Sequence, residues 1–62
     1  PSSQEERNNL FNESLNLIEK EFTIQAIEKL LVLFVLMPEN DLLIEALSSA
    51  LIKNNEYELN IL

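Results

Sequence analysis

Apolar residues recur every three or four positions in the first third of the chain. Phe11, Leu15, Ile18 and Phe22 follow one another at spacings of four, three and four, which is the repeat of one face of an α-helix. The positions between them are mostly Asn and Glu. This pattern predicts an amphipathic helix over about residues 3–20.

The start of this helix carries its own signal. Ser3 is followed three residues later by Glu6, the spacing of a capping box, and Ser2 with Glu5 fits the same motif. The helix is expected to break or bend near Phe22, because Thr23 is a good N-cap and a poor interior residue. The alternative is a stripe that continues through Phe22 without a break.

The second predicted helix, at 23–37, contains the most apolar stretch of the chain. Residues 30–37 read LLVLFVLM, and Pro38 then ends the helix because proline lacks the N–H that a helix interior needs. A buried strand is the alternative for so short an apolar run, but nothing else in the chain offers partner strands. A helix that is apolar on every side has to be covered on every side.

A third helix is predicted at 41–53, with Asn40 or Asp41 as its N-cap and Asn54 or Asn55 as a left-handed stop. Residues 56–62 alternate between polar and apolar side chains, which is typical of a strand, yet they also fit a short fourth helix. We favour the helix. The predicted fold class is an all-α bundle of three helices with this short fourth one.

Composition supports helices and limits the partners. The chain has 62 residues and no glycine, and glycine is the residue that hairpin turns prefer. Its net charge is −7, which opposes binding to nucleic acid and to anionic membranes. The longest apolar run is too short to cross a bilayer, and no signal peptide is visible. We expect a single intracellular domain, 1–62, cut from a larger protein.

The sequence offers little for catalysis. It contains neither cysteine nor histidine, so the commonest metal ligands and general base are missing. The serines are interpreted as helix caps and helix surface, and the acidic cluster of Glu39, Asp41 and Glu45 as solvated charge at a helix start. No enzyme activity, cofactor or metal is predicted.

The remaining clue is an excess of apolar surface. A chain this short buries only about 60% of the surface of its unfolded form, and without disulfides or metals such domains usually depend on a partner. We therefore expect a homodimer or homotetramer centred on the second helix, against the alternative of a monomeric three-helix bundle. The predicted interface consists of Ile27, Leu30, Leu31, Leu33, Phe34, Met37, Leu43 and Leu47.

Two resemblances bear on function. Met37-Pro38 and the terminal Ile61-Leu62 resemble the ubiquitin-contacting positions of the CUE domain, although the Phe between Met and Pro of that family is missing here. That resemblance implies a helical domain that binds ubiquitin or a peptide.

The second resemblance rests on the short acidic helical chain, its many asparagines such as Asn54-Asn55, and its Asn60-Ile61-Leu62 end. In these features the chain resembles the tetramer-forming C-terminal module of the Rap-interacting factor one family of yeast telomere regulators. This implies a nuclear scaffold protein whose binding valency is multiplied by self-association, with another protein as a further partner.

Overall fold

The computed structural model describes the backbone of residues 3–61 and the side chains of residues 3–56. Within this range the chain forms three helices: α1 (Gln4–Glu19), α2 (Thr23–Leu36) and α3 (Asp41–Ile61). The described residues contain no strand. The predicted all-α bundle of three helices is confirmed, and the strand alternative for 30–37 is wrong.

The start of α1 is set by Ser3, as the capping box predicts. Its side-chain oxygen accepts a hydrogen bond from the backbone N–H of Glu6 at 3.2 Å. This bond satisfies one of the N–H groups that a helix leaves unpaired in its first turn. Glu5 and Glu6 also place negative charge next to the positive end of the helix dipole.

The break between α1 and α2 is a Schellman motif. The N–H of Phe22 donates to the carbonyl oxygen of Leu17 at 2.8 Å, and the N–H of Glu21 donates to that of Ile18 at 3.1 Å. Glu21 takes the left-handed conformation that this motif requires, with φ of 69°. The predicted break near Phe22 is confirmed, but Thr23 is the first residue of α2 and not its cap.

The turn between α2 and α3 follows the sequence signals closely. Met37 is the C-cap of α2, and Pro38 comes directly after it. The side chain of Asn40 then accepts a hydrogen bond from the N–H of Leu43 at 3.0 Å, so Asn40 is the N-cap of α3. The chain reverses direction here, and α3 runs antiparallel to α2.

α3 is longer than predicted. It passes through Asn54 and Asn55 and continues to Ile61. The predicted stop after Lys53 is therefore wrong, and so are the separate fourth helix and its strand alternative. Leu62 lies outside the described residues. Asn54 lies inside α3, and its side-chain oxygen accepts a hydrogen bond from the Thr23 hydroxyl at 3.2 Å. This contact joins α3 to the first turn of α2.

α2 is the central helix of the bundle. It packs against both α1 and α3, which meet each other over only a small area. Among the described side chains, the core between the three helices contains few large ones, chiefly Ile18, Leu30, Leu33 and Leu43. The other buried residues of the described range are small: Ser14, Thr23, Ala26, Ala46 and Ala50.

Candidate protein-interaction face

The two flanks of α2 are occupied by different helices. Lys29, Val32 and Leu36 line grooves together with residues of α1, so α1 lies on that flank. α3 lies on the other flank, where the Thr23 hydroxyl reaches Asn54. The side of α2 that faces away from both helices is open to solvent.

The solvent side of α2 carries large apolar residues. Ile24, Leu31 and Val35 lie at positions i, i+7 and i+11 of one helix face, and they are exposed by 59%, 47% and 79%. Glu28 lies on the same face between them and is also exposed. Ordinary amphipathic helices carry polar residues at such positions, so this face departs from the usual pattern.

α3 adds to this surface on the side away from α1. Leu42, Ala46 and Ser49 line a groove together with residues of α1, which fixes the side of α3 that α1 covers. Ile44 and Leu51 lie on the opposite side, beyond α2, and are exposed by 41% and 51%. They continue the apolar surface from α2 onto α3.

We call this surface the α2–α3 face. Its middle is the line along which α2 and α3 pack against each other, with partly buried apolar side chains. Its margins are exposed on both helices. The partly buried residues are Ile27, Phe34 and Leu47, and the exposed ones are Ile24, Leu31, Val35, Ile44 and Leu51.

The eight residues predicted as an oligomer interface are divided between three places. Leu30, Leu33 and Leu43 are fully buried in the core of the single chain, where a second copy has no access to them. Met37 is partly buried at the end of α2, in a groove that also contains Phe11 and Leu42. The other four belong to the α2–α3 face: Ile27, Leu31, Phe34 and Leu47.

Four residues of the α2–α3 face are absent from the predicted interface. Ile24 and Val35 could have been found from their spacing to Leu31 on a helical wheel. Ile44 and Leu51 could not, because their exposure depends on which side of α3 the helix α1 covers. Only the packing of α1 against α3 decides which side of α3 is covered.

A second groove lies between α1 and α2. Its apolar lining consists of Leu10, Val32, Leu33 and Leu36, and Glu6, Arg7, Asn9 and Glu13 stand around it. Near this groove the ammonium group of Lys29 lies 3.4 Å from a carboxylate oxygen of Glu13. Acidic and basic groups are mixed here, so this groove has no strong charge preference.

The described residues show no arrangement typical of catalysis. Ser14 is fully buried, and its hydroxyl donates to the carbonyl oxygen of Leu10 at 2.9 Å, so the prediction that the serines lie at caps and on helix surfaces is wrong for this one. Among the described side chains no group of three acidic residues could hold a metal ion. None of the described helices is both long and apolar enough to span a membrane.

The residues of the ubiquitin-binding alternative are only partly placed. Met37 is partly buried and Pro38 is exposed at the end of α2. The side chain of Ile61 and the whole of Leu62 lie outside the described residues. The four positions therefore form no described surface.

Comparison with known proteins adds no relative: no protein family, no curated protein and no solved structure matches this chain. The α2–α3 face is thus the feature from which a function has to be argued.

Proposed function

We propose that this chain is a non-catalytic homo-oligomerisation module, and that two copies pack together through the α2–α3 face. The observation that carries the proposal is the exposure of five large apolar residues on the same side of the α2–α3 pair, Ile24, Leu31 and Val35 of α2 with Ile44 and Leu51 of α3. Covering this surface removes apolar area from water, which is the main favourable term in protein association.

The size of the surface supports a protein partner. The five exposed residues contribute on the order of 500 Å², which is as large as the largest apolar patch on a typical monomer, and such patches often have a function. The partly buried line between the helices and the polar residues at its rim enlarge the area. A standard interface takes about 800 Å² from each partner, so this face is of suitable size.

The total accessible surface is larger than that of a compact monomer. It is 4632 Å², whereas a compact monomer of this mass exposes about 4,100 Å². Part of the difference reflects the elongated outline of 43 × 21 × 15 Å. Among the described residues, large apolar side chains such as Val35 contribute to the exposed surface.

A second copy is the occupant that needs no further assumption. Closed two-fold symmetry is the commonest arrangement of homo-oligomers, and it places the same patch of both copies in contact. A dimer would multiply the binding valency of a larger scaffold protein that carries the module. The resemblance to the Rap-interacting factor one family is the ground for proposing a telomere-associated, nuclear parent and a tetramer as a dimer of dimers.

The test is the molar mass in solution, measured by size-exclusion chromatography with light scattering. We expect the wild type to be dimeric or tetrameric. Val35→Glu should be a folded monomer, because Val35 contributes little to the core of the single chain. Ile52→Glu is the matched control, since Ile52 is 60% exposed on a different side of α3, and it should remain an oligomer.

Two results would contradict the proposal. One is a folded wild type that stays monomeric at high concentration. The other is an oligomer that Val35→Glu and Ile52→Glu weaken equally. A monomer whose NMR shifts at Met37 and Pro38 change on addition of ubiquitin would support the alternative of a ubiquitin-binding domain.

A further inference from the structure

Among the described side chains, one charged group lies between the apolar residues of the α2–α3 face. Glu28 lies four residues after Ile24 and three before Leu31, which places its carboxylate among apolar neighbours on the solvent side of α2. Among the described residues Glu28 has no ion-pair partner. The nearest cation in sequence, Lys29, is turned toward α1 and lies 3.4 Å from Glu13.

The α2–α3 face of a second copy does not supply a cation for Glu28 either. The chain has four basic residues, and the structure describes all of them. Arg7 and Lys29 line grooves beside α1, as does Lys20 at the end of α1. Lys53 lies with Ile52 and Glu56 on a different side of α3. A two-fold contact therefore brings two Glu28 carboxylates into the interface and no positive charge.

We propose that Glu28 limits the strength of self-association through the α2–α3 face. This inference rests on the proposed dimer and assigns its regulation to one residue. Each copy has to remove a carboxylate from water when the face is covered, and an unpaired charge in such a place is strongly unfavourable. Anything that neutralises this carboxylate strengthens the dimer.

The experiment compares Glu28→Gln with Glu45→Gln by sedimentation equilibrium. Both substitutions raise the net charge from −7 by one unit and keep a long polar side chain. Both positions lie in the second turn of their helices, so effects on the helix dipole are matched. Glu45 is exposed. Together with Ser49 it lines two grooves that contain no residue of α2.

Glu28→Gln should lower the dissociation constant about tenfold or more, because it removes the buried charge. Glu45→Gln should change it less than about twofold at about 150 mM salt, because only a screened surface charge is lost. Association of Glu28→Gln under conditions where the wild type is monomeric would also support the proposal.

Equal effects of the two substitutions in a protein that does dimerise would overturn the role of Glu28 and leave the dimer intact. A dissociation constant that Glu28→Gln leaves unchanged would have the same meaning. If neither the wild type nor Glu28→Gln associates at any accessible concentration, both the dimer and the role of Glu28 are wrong.

Discussion

Thr23 and Asn54 form a polar contact between residues that are far apart in sequence. Thr23 is almost fully buried, and its hydroxyl donates to the side-chain oxygen of Asn54 at 3.2 Å. A buried hydroxyl that loses its acceptor retains the cost of leaving water, which is about 1–3 kcal/mol. The bond therefore joins the start of α2 to the C-terminal half of α3.

Asn54→Ala should lower the free energy of unfolding by about 1 kcal/mol, because the buried Thr23 hydroxyl then loses its partner. The control is Asn55→Ala, at the exposed neighbouring position. Both changes give α3 the same gain in helix propensity, so their difference measures what the Asn54 side chain contributes, including its bond to Thr23. Urea unfolding followed by circular dichroism measures it, and equal stabilities would show that the bond contributes nothing.

Ser14 shows how a polar residue is accommodated in the core. Its hydroxyl bonds to the carbonyl oxygen four residues earlier in its own helix, so burial leaves no donor unsatisfied. Its small size, like that of Ala26 and Ala50, allows the helices to approach closely. A pattern of large apolar residues does not reveal such a position, because it assigns serine to the surface.

At the scale of elements, the backbone conformation and hydrogen bonds at the helix ends decide where each helix stops. The α1 terminus depends on Glu21 in the left-handed conformation, which glycine adopts without strain and other residues adopt at a cost. No glycine or proline marks this break in the sequence. The hydrogen bonds of Glu21 and Phe22 to the last turn of α1 compensate for the strain.

Glu21→Gly should therefore raise the free energy of unfolding by about 0.5–1 kcal/mol, since it relieves the positive φ angle. Glu19→Gly, at the last residue of α1, should lower it by about 1 kcal/mol, because glycine there is in a right-handed helix. The opposite signs, measured by chemical denaturation, distinguish the left-handed position from a general effect of glycine. Destabilisation by both would contradict the Schellman interpretation.

At the scale of the whole molecule, the small number of large buried side chains among the described residues predicts that folding and assembly are linked. Anything that binds the folded chain and not the unfolded chain raises its stability, and the stabilisation by a second copy grows with the logarithm of the protein concentration. The midpoint of thermal unfolding should rise by about 5–10 °C over a hundredfold increase in protein concentration.

Circular dichroism at several concentrations measures this rise. Val35→Glu provides the control, because its midpoint should be lower and independent of concentration. A wild-type midpoint that does not move would mean that the single chain is the stable unit.

The sequence alone determined the helical class and the end of α2 before Pro38. It limited the start of α1 to Ser2 or Ser3 and the N-cap of α3 to Asn40 or Asp41, and it favoured a break near Phe22 over a continuous helix. These features depend on residues a few positions apart, and local hydrogen bonds and backbone angles decide them. It did not determine the length of α3. Asn54 fits a helix stop by its local sequence, whereas the structure places it inside α3 in contact with Thr23, thirty-one residues away.

Only the tertiary structure decided which apolar residues remain exposed. All sides of α2 after Lys29 are apolar in sequence, so periodicity could not separate Leu30 and Leu33, which fill the core, from Leu31 and Val35, which do not. The positions of α1 and α3 around α2 make that distinction. Burial is a property of the packed arrangement, and for this reason the candidate interface could be located only after the bundle was assembled.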